Sequence, residues 1–131
     1  MVAKTFKDLI VWQESYKLTL DIYKITENFP QHEKNGLTSQ LRRSAVSVSS
    51  NIAEGFGRNG AREKDQFYAM AHGSLTELEN EILVAKGVGY IDQEVFIQLE
   101  SAYVLTQKLL SGLQKANKLK GERSKLLKSR I

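Results

Sequence analysis

GLTSQLRRSAVSVSSNIAEGFGRNG, residues 36–60, decides how the chain folds. Leu37, Leu41, Val48, Ile52 and Phe56 recur at spacings of four and seven, which places them near one face of a helix. A second row, Arg43, Ser47, Asn51, Glu54 and Arg58, is polar, and Glu54 precedes Arg58 by four, the favourable order for an ion pair on a helix. Ser47, Ser49 and Ser50 are small and permit close helix approach. The run ends in Gly55-Phe56-Gly57-Arg58-Asn59-Gly60, glycine being the residue that relieves the left-handed turn after a helix. The same letters satisfy G-x-G-x-x-G, the dinucleotide fingerprint. That fingerprint requires a strand before it, and here a helix precedes it, so the dinucleotide reading is rejected. The stretch predicts a helix over about Glu33 to Phe56, closed by a glycine turn.

Working outward, a third helix is predicted from about Arg62 to Val88, with Phe67, Ala71, Leu75, Leu78, Ile82 and Ala85 on its core face. Asp92 is a good N-cap for a fourth helix, which carries Val95, Phe96, Leu99, Leu109, Leu110 and Leu113 and loses its regular pattern near Lys118. Before the quoted stretch, a first helix is predicted from Lys7 or Asp8 to Asn28. The only proline, Pro30, closes it, because Phe29 before a proline is pushed out of helical geometry. This first helix carries two apolar stripes: Leu9, Trp12, Tyr16, Leu20 and Tyr23 on one side, and Val11, Leu18, Ile22, Ile25 and Phe29 roughly opposite. A bundle helix ordinarily needs one apolar face. The second stripe, taken as Val11, Leu18, Ile22, Ile25 and Phe29, is the expected oligomer interface. Short connections between long helices predict an all-α, antiparallel up-down-up-down four-helix bundle over residues 1–117.

The chain has 131 residues, 41% hydrophobic and 26% charged, which suits one globular domain that needs no covalent staples. It has no cysteine, which removes disulfides, thiol catalysis and Cys-ligated metals, and fits a reducing cytoplasm. No signal-peptide core and no run near the ~20 apolar residues needed to cross a bilayer are present, so no membrane partner is expected. The net charge of +4 resides in one place. Residues 118–131 hold Lys118, Lys120, Arg123, Lys125, Lys128 and Arg130 against a single acid, Glu122. This basic C-terminal tail is expected to be a helical extension or disordered.

The chemistry of catalysis is not legible. The two histidines, His32 and His72, are preceded three residues earlier by Phe29 and Ala69, so the Glu-x-x-His of di-iron bundles is missing. No serine sits in a recognisable nucleophile motif. Glu54, Glu77, Glu79 and Glu81 are read as ion-pair partners of Arg42, Arg43 and Arg58 rather than as a carboxylate metal site. No enzyme activity, cofactor or metal is expected. Nucleic acid is the more serious partner: Arg62 and Lys64, with the six cations of the tail, are candidate phosphate contacts. Without a recognition helix or aromatic RNA-binding strand, such binding is expected to run through the backbone and to be strongly salt-dependent.

The run from Gly36 to Arg58 resembles the hallmark of one family, the four-helix-bundle proteins encoded in intervening sequences of bacterial 23S ribosomal RNA genes, and their chromosomal relatives. Phe6-Lys7-Asp8-Leu9, Val11-Trp12-Gln13, Phe29-Pro30 with Glu33, Gly73-Ser74-Leu75 with Glu77-Leu78-Glu79, and Gly89-Tyr90-Ile91 are similar as well, so the likeness spans about residues 5–115. Two features depart from it. The family often has a proline where Ser49 stands, which leaves this helix free to run straighter, and the basic tail lies outside the pattern. The resemblance implies a ring-like homopentamer with no established enzymatic activity. A related accessory protein of diversity-generating retroelements binds nucleic acid and a reverse transcriptase. Arg42, Arg43, Asn51, Glu54, Gly55, Arg58, Glu77 and Glu79 match the family motif and are expected to form a polar network between helices two and three, or across subunits. The function expected is therefore a non-enzymatic oligomeric scaffold that binds RNA or other nucleic acid through its backbone; the alternative is a protein-binding adaptor.

Overall fold

A computed structural model describes residues 2–129. Four α-helices follow one another: α1 Ile10–Thr26, α2 Leu37–Phe56, α3 Ala61–Gly87 and α4 Gln93–Ser129. The core stripes of the four meet in one cluster centred on Leu18, Ile22, Leu41, Ile52, Leu75, Leu78 and Leu110.

Helix direction can be read from side chains that bridge neighbours. Thr19 Oγ1 reaches the Ala45 carbonyl and Arg42 Nε reaches Thr26 Oγ1, so α2 descends as α1 rises. Ser47 meets Ser74 while Gly55 abuts Tyr68, so α3 runs against α2. Gln107 meets Glu79 and Asn117 meets Ala61, so α4 runs against α3. Packing of α4 on α1 closes the square, and among the described residues the diagonal pairs stay apart. An up-down-up-down bundle is the result.

The ends of the helices differ from the sequence reading for local reasons. Asp8 does not start α1. Its carboxylate accepts the backbone N–H of Lys4 and Thr5, Thr5 Oγ1 accepts that of Lys7, and this capping box closes a separate 3-10 turn, Phe6–Asp8. Leu9 is extended, so α1 begins at Ile10. Likewise α2 begins at Leu37 rather than Glu33. Residues Gln31–Glu33 form a 3-10 turn, and the Glu33 carboxylate reaches forward to the Leu37 N–H at 3.1 Å, serving as a cap from outside the helix. Asp92 caps α4 through the Val95 N–H at 2.9 Å. Serine at position 49 lets α2 run unbroken, its hydroxyl bonding back to the Val46 carbonyl.

The two stripes of α1 are resolved, and the expected assignment is reversed. Val11, Leu18, Ile22 and Phe29 are buried in the chain's own core and Ile25 is half-buried against it. They face α2 and α4 and leave nothing for a neighbouring subunit. The stripe that reaches solvent is the other one: Tyr16, Leu20 and Tyr23 are exposed, while Leu9 and Trp12 are half-buried against the core.

Helix α4 does not fade at Lys118. It continues to Ser129, about 55 Å at 1.5 Å per residue, twice the length of α1. Its contact with α3 ends where Asn117 Nδ2 donates to the Ala61 carbonyl at 2.8 Å and Gly121 lies against the Ala61 side chain. Beyond Gly121, every side chain from Glu122 to Ser129 is exposed. The reason is in the periodicity: the inward positions Tyr103, Thr106, Leu110 and Asn117 are succeeded by Ser124 and Lys128, which have nothing to bury.

Candidate nucleic-acid and assembly surfaces

The end of α2 is built around a glycine. A Cβ on Gly55 would stand 2.6 Å from Tyr68 Cε1 and 2.8 Å from its Cδ1, closer than carbon atoms approach, so only glycine lets the Tyr68 ring seat against α2. Tyr68 is buried there, and burial holds its phenol above the usual range. Four residues upstream, Asn51 Nδ2 donates to the Ser47 carbonyl at 2.9 Å and to Ser47 Oγ at 3.1 Å, and Ser47 Oγ meets Ser74 Oγ at 2.8 Å. These short side chains stitch α2 to α3 at close range.

The charged residues of the motif go separate ways. Arg58 pairs with Glu54 at 3.0 Å and lies over the Phe67 ring at 4.5 Å. Both partners are exposed, so the pair contributes little to stability. Arg42 turns toward α1, donating to Thr26 Oγ1 at 2.9 Å and to the Tyr23 carbonyl at 3.3 Å, with its guanidinium 4.6 Å from the Tyr23 ring centre. There it satisfies the C-terminal end of α1. Arg43 and Glu77 are exposed. Glu79 faces α4 and accepts from Gln107 Nε2 at 3.0 Å. Glu81 faces α2 and is buried, with Oε1 unpartnered. Burial raises its pKa, the Ser44 hydroxyl partly offsets this, and the Glu77 charge adds to it. The eight motif residues therefore do not form one network within a chain, and no arginine of α2 reaches a glutamate of α3. Successive glutamates two apart on a helix are rotated by about 200°, which sends Glu79 and Glu81 to opposite sides of α3.

Lys64 also leaves the candidate phosphate contacts. Its ammonium donates to the Phe56 carbonyl at 2.6 Å and the Gly55 carbonyl at 3.3 Å, capping α2 from the first turn of α3. Burial lowers its pKa, and the Lys120 charge lowers it further. Arg62, Lys118, Lys120, Arg123, Lys125 and Lys128 are exposed, as a contact requires, while Arg130 lies outside the described residues. His72 is half-buried, its Nδ1 3.2 Å from Gln114 Oε1 across α3 and α4.

Two open surfaces stand out. An open groove of about 570 Å³ is lined by Phe6, Ser50, Ala53, Glu54, Gly57 and Arg58. It continues into an aromatic ladder on α1, where Phe6 meets Trp12 edge-on at 5.0 Å and Trp12 stacks on Tyr16 at 5.0 Å. Leu20, Tyr23 and, from α2, Val46 are also exposed. The second surface is the exposed basic end of α4. No described helix is long and apolar enough to cross a membrane.

One feature escaped the sequence reading. Tyr90 Oη lies 2.8 Å from Glu33 Oε2 and 3.3 Å from His32 Nε2, and its ring packs on Phe29 at 5.2 Å. The Phe29-Pro30 and Gly89-Tyr90-Ile91 pieces are thus one structure, the lock at that end of the bundle. Their separate presence was visible; their pairing was not.

An α2–α3 seam of short side chains closed by a mandatory glycine, inside a four-helix bundle, defines a structural class rather than a reaction. The chain belongs to the family of 23S rRNA-intervening sequence proteins, which matches residues 7–112. No curated protein matches it. Among solved structures, it is similar to a protein of unknown function from the S23 ribosomal protein family of Bacteroides thetaiotaomicron. The TM-score is 0.73 at 21% identity, covering 81% of this chain and 99% of that one, a likeness of fold.

Proposed function

We propose that the protein is a non-enzymatic homo-oligomeric scaffold, assembled as a homopentamer, that binds nucleic acid through its phosphate backbone. The observation that carries the assembly is the uncovered face of α1. Tyr16, Leu20 and Tyr23 stand in solvent beside Val46 of α2, although the bundle core is already complete without them. A contiguous apolar patch of this kind marks an interaction surface. A closed ring joins two different patches of successive subunits. Ile97 and Leu105, exposed on α4, offer apolar side chains for the opposite side of such a contact. The nucleic-acid reading is supported by the cations that α4 holds clear of the body.

Light scattering of the purified chain tests the assembly, with a multimer expected and a clean monomer at micromolar concentration overturning it. Titration of labelled RNA and DNA at low and moderate salt tests the ligand; no binding at either salt sinks that part. A nuclease-resistant protein partner captured on the α1 face would favour the adaptor alternative.

A further inference from the structure

Helix α4 has an outward seam as well as an inward one. Leu109, Gly112, Ala116, Leu119, Arg123 and Leu126 recur at alternating spacings of three and four, the heptad pattern of a helix that packs along another helix. At about 100° per residue they fall within about 100° of the circumference, roughly 140° from the mean direction of the inward Tyr103, Thr106, Leu110 and Asn117. Leu119 and Leu126 are 57% and 55% exposed, Gly112, Ala116 and Arg123 are exposed, and Leu109 is half-buried. Gly112 has no purpose within its own subunit. It sits inside a long helix, where only proline is less favourable. A Cβ on it would meet nothing within 4 Å, and its φ is not positive. A group from outside the subunit, brought close to the helix backbone, accounts for a glycine there. Four of the six seam positions lie beyond residue 112, where the family match ends.

We infer that this seam packs antiparallel against the same seam of a second copy, about a two-fold axis that passes between residues 117 and 118. The contact uses a different face from the ring proposed above and goes beyond it. In this register Leu109 lies opposite Leu126 of the second copy, Ala116 opposite its Leu119, and Gly112 opposite its Arg123. Small residues thus face large ones. The Arg123 stem crosses the bare Gly112 backbone and its guanidinium reaches water beyond. Lys115 and Glu122 flank the seam on one side, and across the axis each lysine falls beside the other copy's glutamate, twice by symmetry. A parallel pair sets Arg123 against Arg123 and Lys115 against Lys120 of the other copy, so charge selects the antiparallel one. Because α4 leaves its bundle after Asn117, each overhang then lies along the bundle-held half of the other α4. Lys118, Lys125 and Lys128 point roughly 130–150° away from the seam and stay open to phosphate.

The test is the mass of the full-length chain by sedimentation, in a Leu20→Glu background so that the α1 face does not mask the pair. A dimer is expected. A monomer there, with the unaltered chain still a multimer, overturns the pairing and leaves the ring; a monomer in both overturns both. An unaltered chain that forms a dimer and nothing larger keeps the pair and sinks the ring. Adding Leu119→Glu with Leu126→Glu is expected to give a monomer, while Leu83→Glu, at an exposed leucine of α3, leaves the dimer. These changes alter only exposed side chains, and circular dichroism confirms that each variant folds. A dimer that survives Leu119→Glu with Leu126→Glu overturns the seam. Gly112→Leu improves helix propensity, so the subunit folds, yet it fills the place of Arg123 and is expected to weaken pairing. Pairing unchanged by it overturns the register. Lys115→Glu is expected to raise the dissociation constant about tenfold, and adding Glu122→Lys to restore it. Tighter pairing by Lys115→Glu marks a parallel pair, and no response removes the contact with Glu122; either overturns the antiparallel arrangement.

Discussion

The hydroxyl of Tyr90 donates to Oε2 of Glu33 at 2.8 Å, and through that carboxylate the α3–α4 turn holds the start of α2. Glu33 does two things at once. One oxygen takes the Leu37 N–H, an orphan donor of the first turn of α2, and the other takes the tyrosine. The Leu37 hydrogen bond, then that of Tyr90, hold the Glu33 carboxyl below its usual range.

Glu33→Gln should therefore lower thermal stability at neutral pH, and Tyr90→Phe should lower it less. A carboxyl with a depressed folded pKa contributes stability above its ordinary value of 4.5 and loses it as pH falls through the folded value. The difference between wild type and Glu33→Gln should shrink on acidification below that point. A melting series that keeps the gap constant down to the acid limit would show that the charge does not matter.

Gly55→Ala should destabilise the fold by about 1–3 kcal/mol, because the new methyl overlaps the buried Tyr68 ring and α2 has no room to retreat. Adding Tyr68→Leu should recover part of that loss, making the pair non-additive. Denaturant unfolding of the two single variants and the double variant measures the coupling. Strict additivity would mean that the two residues are not in conflict.

Glu81 makes the opposite demand on pH. Its carboxyl is buried with Oε1 unpartnered, and its pKa is raised chiefly by burial. A raised folded pKa means that its share of stability is full below the ordinary glutamate value of 4.5 and is lost as pH rises through the folded value. Glu81→Gln removes the buried charge and should raise the melting temperature at neutral pH, with the gain disappearing in acid. A neutral-pH melting temperature equal to or below that of the wild type would contradict this account.

Two neighbouring positions on α1 should behave in opposite ways. Ile22 is 1% exposed and Leu20 is 50% exposed. Ile22→Glu places a charge in the core and should cost more than about 3 kcal/mol, enough to unfold a marginal domain. Leu20→Glu should change the stability of a subunit by less than about 0.5 kcal/mol while dispersing the proposed multimer. Circular dichroism and light scattering separate the two outcomes. A Leu20→Glu protein of unchanged size would remove this face from the assembly.

How much of this was written in the sequence depends on the distance over which each signal acts. The four helices and their core faces were legible because a helix repeats its evidence every turn, and the Asp92 cap lies within three residues of the N–H that it binds. The two stripes of α1 were legible as stripes. Which one faced inward was not, since both carry large apolar residues and the choice rests on what α2 and α4 present. Family-motif residues likewise announced themselves without their partners: Arg42 was expected to meet the glutamates of α3 and instead reaches Thr26.

The overhang of α4 has a kinetic and entropic side. Starting a helix is the costly step, and the turns from Gln93 to Gly121 have already taken it against the rest of the bundle. The two turns after Gly121 need only propagation, one hydrogen bond per residue fixed, and Glu122, Arg123, Lys125, Leu126, Leu127 and Lys128 are all good helix formers. A ligand that meets this end finds its side chains already spaced and loses little of its binding free energy to ordering them, as it would on a free peptide of the same composition.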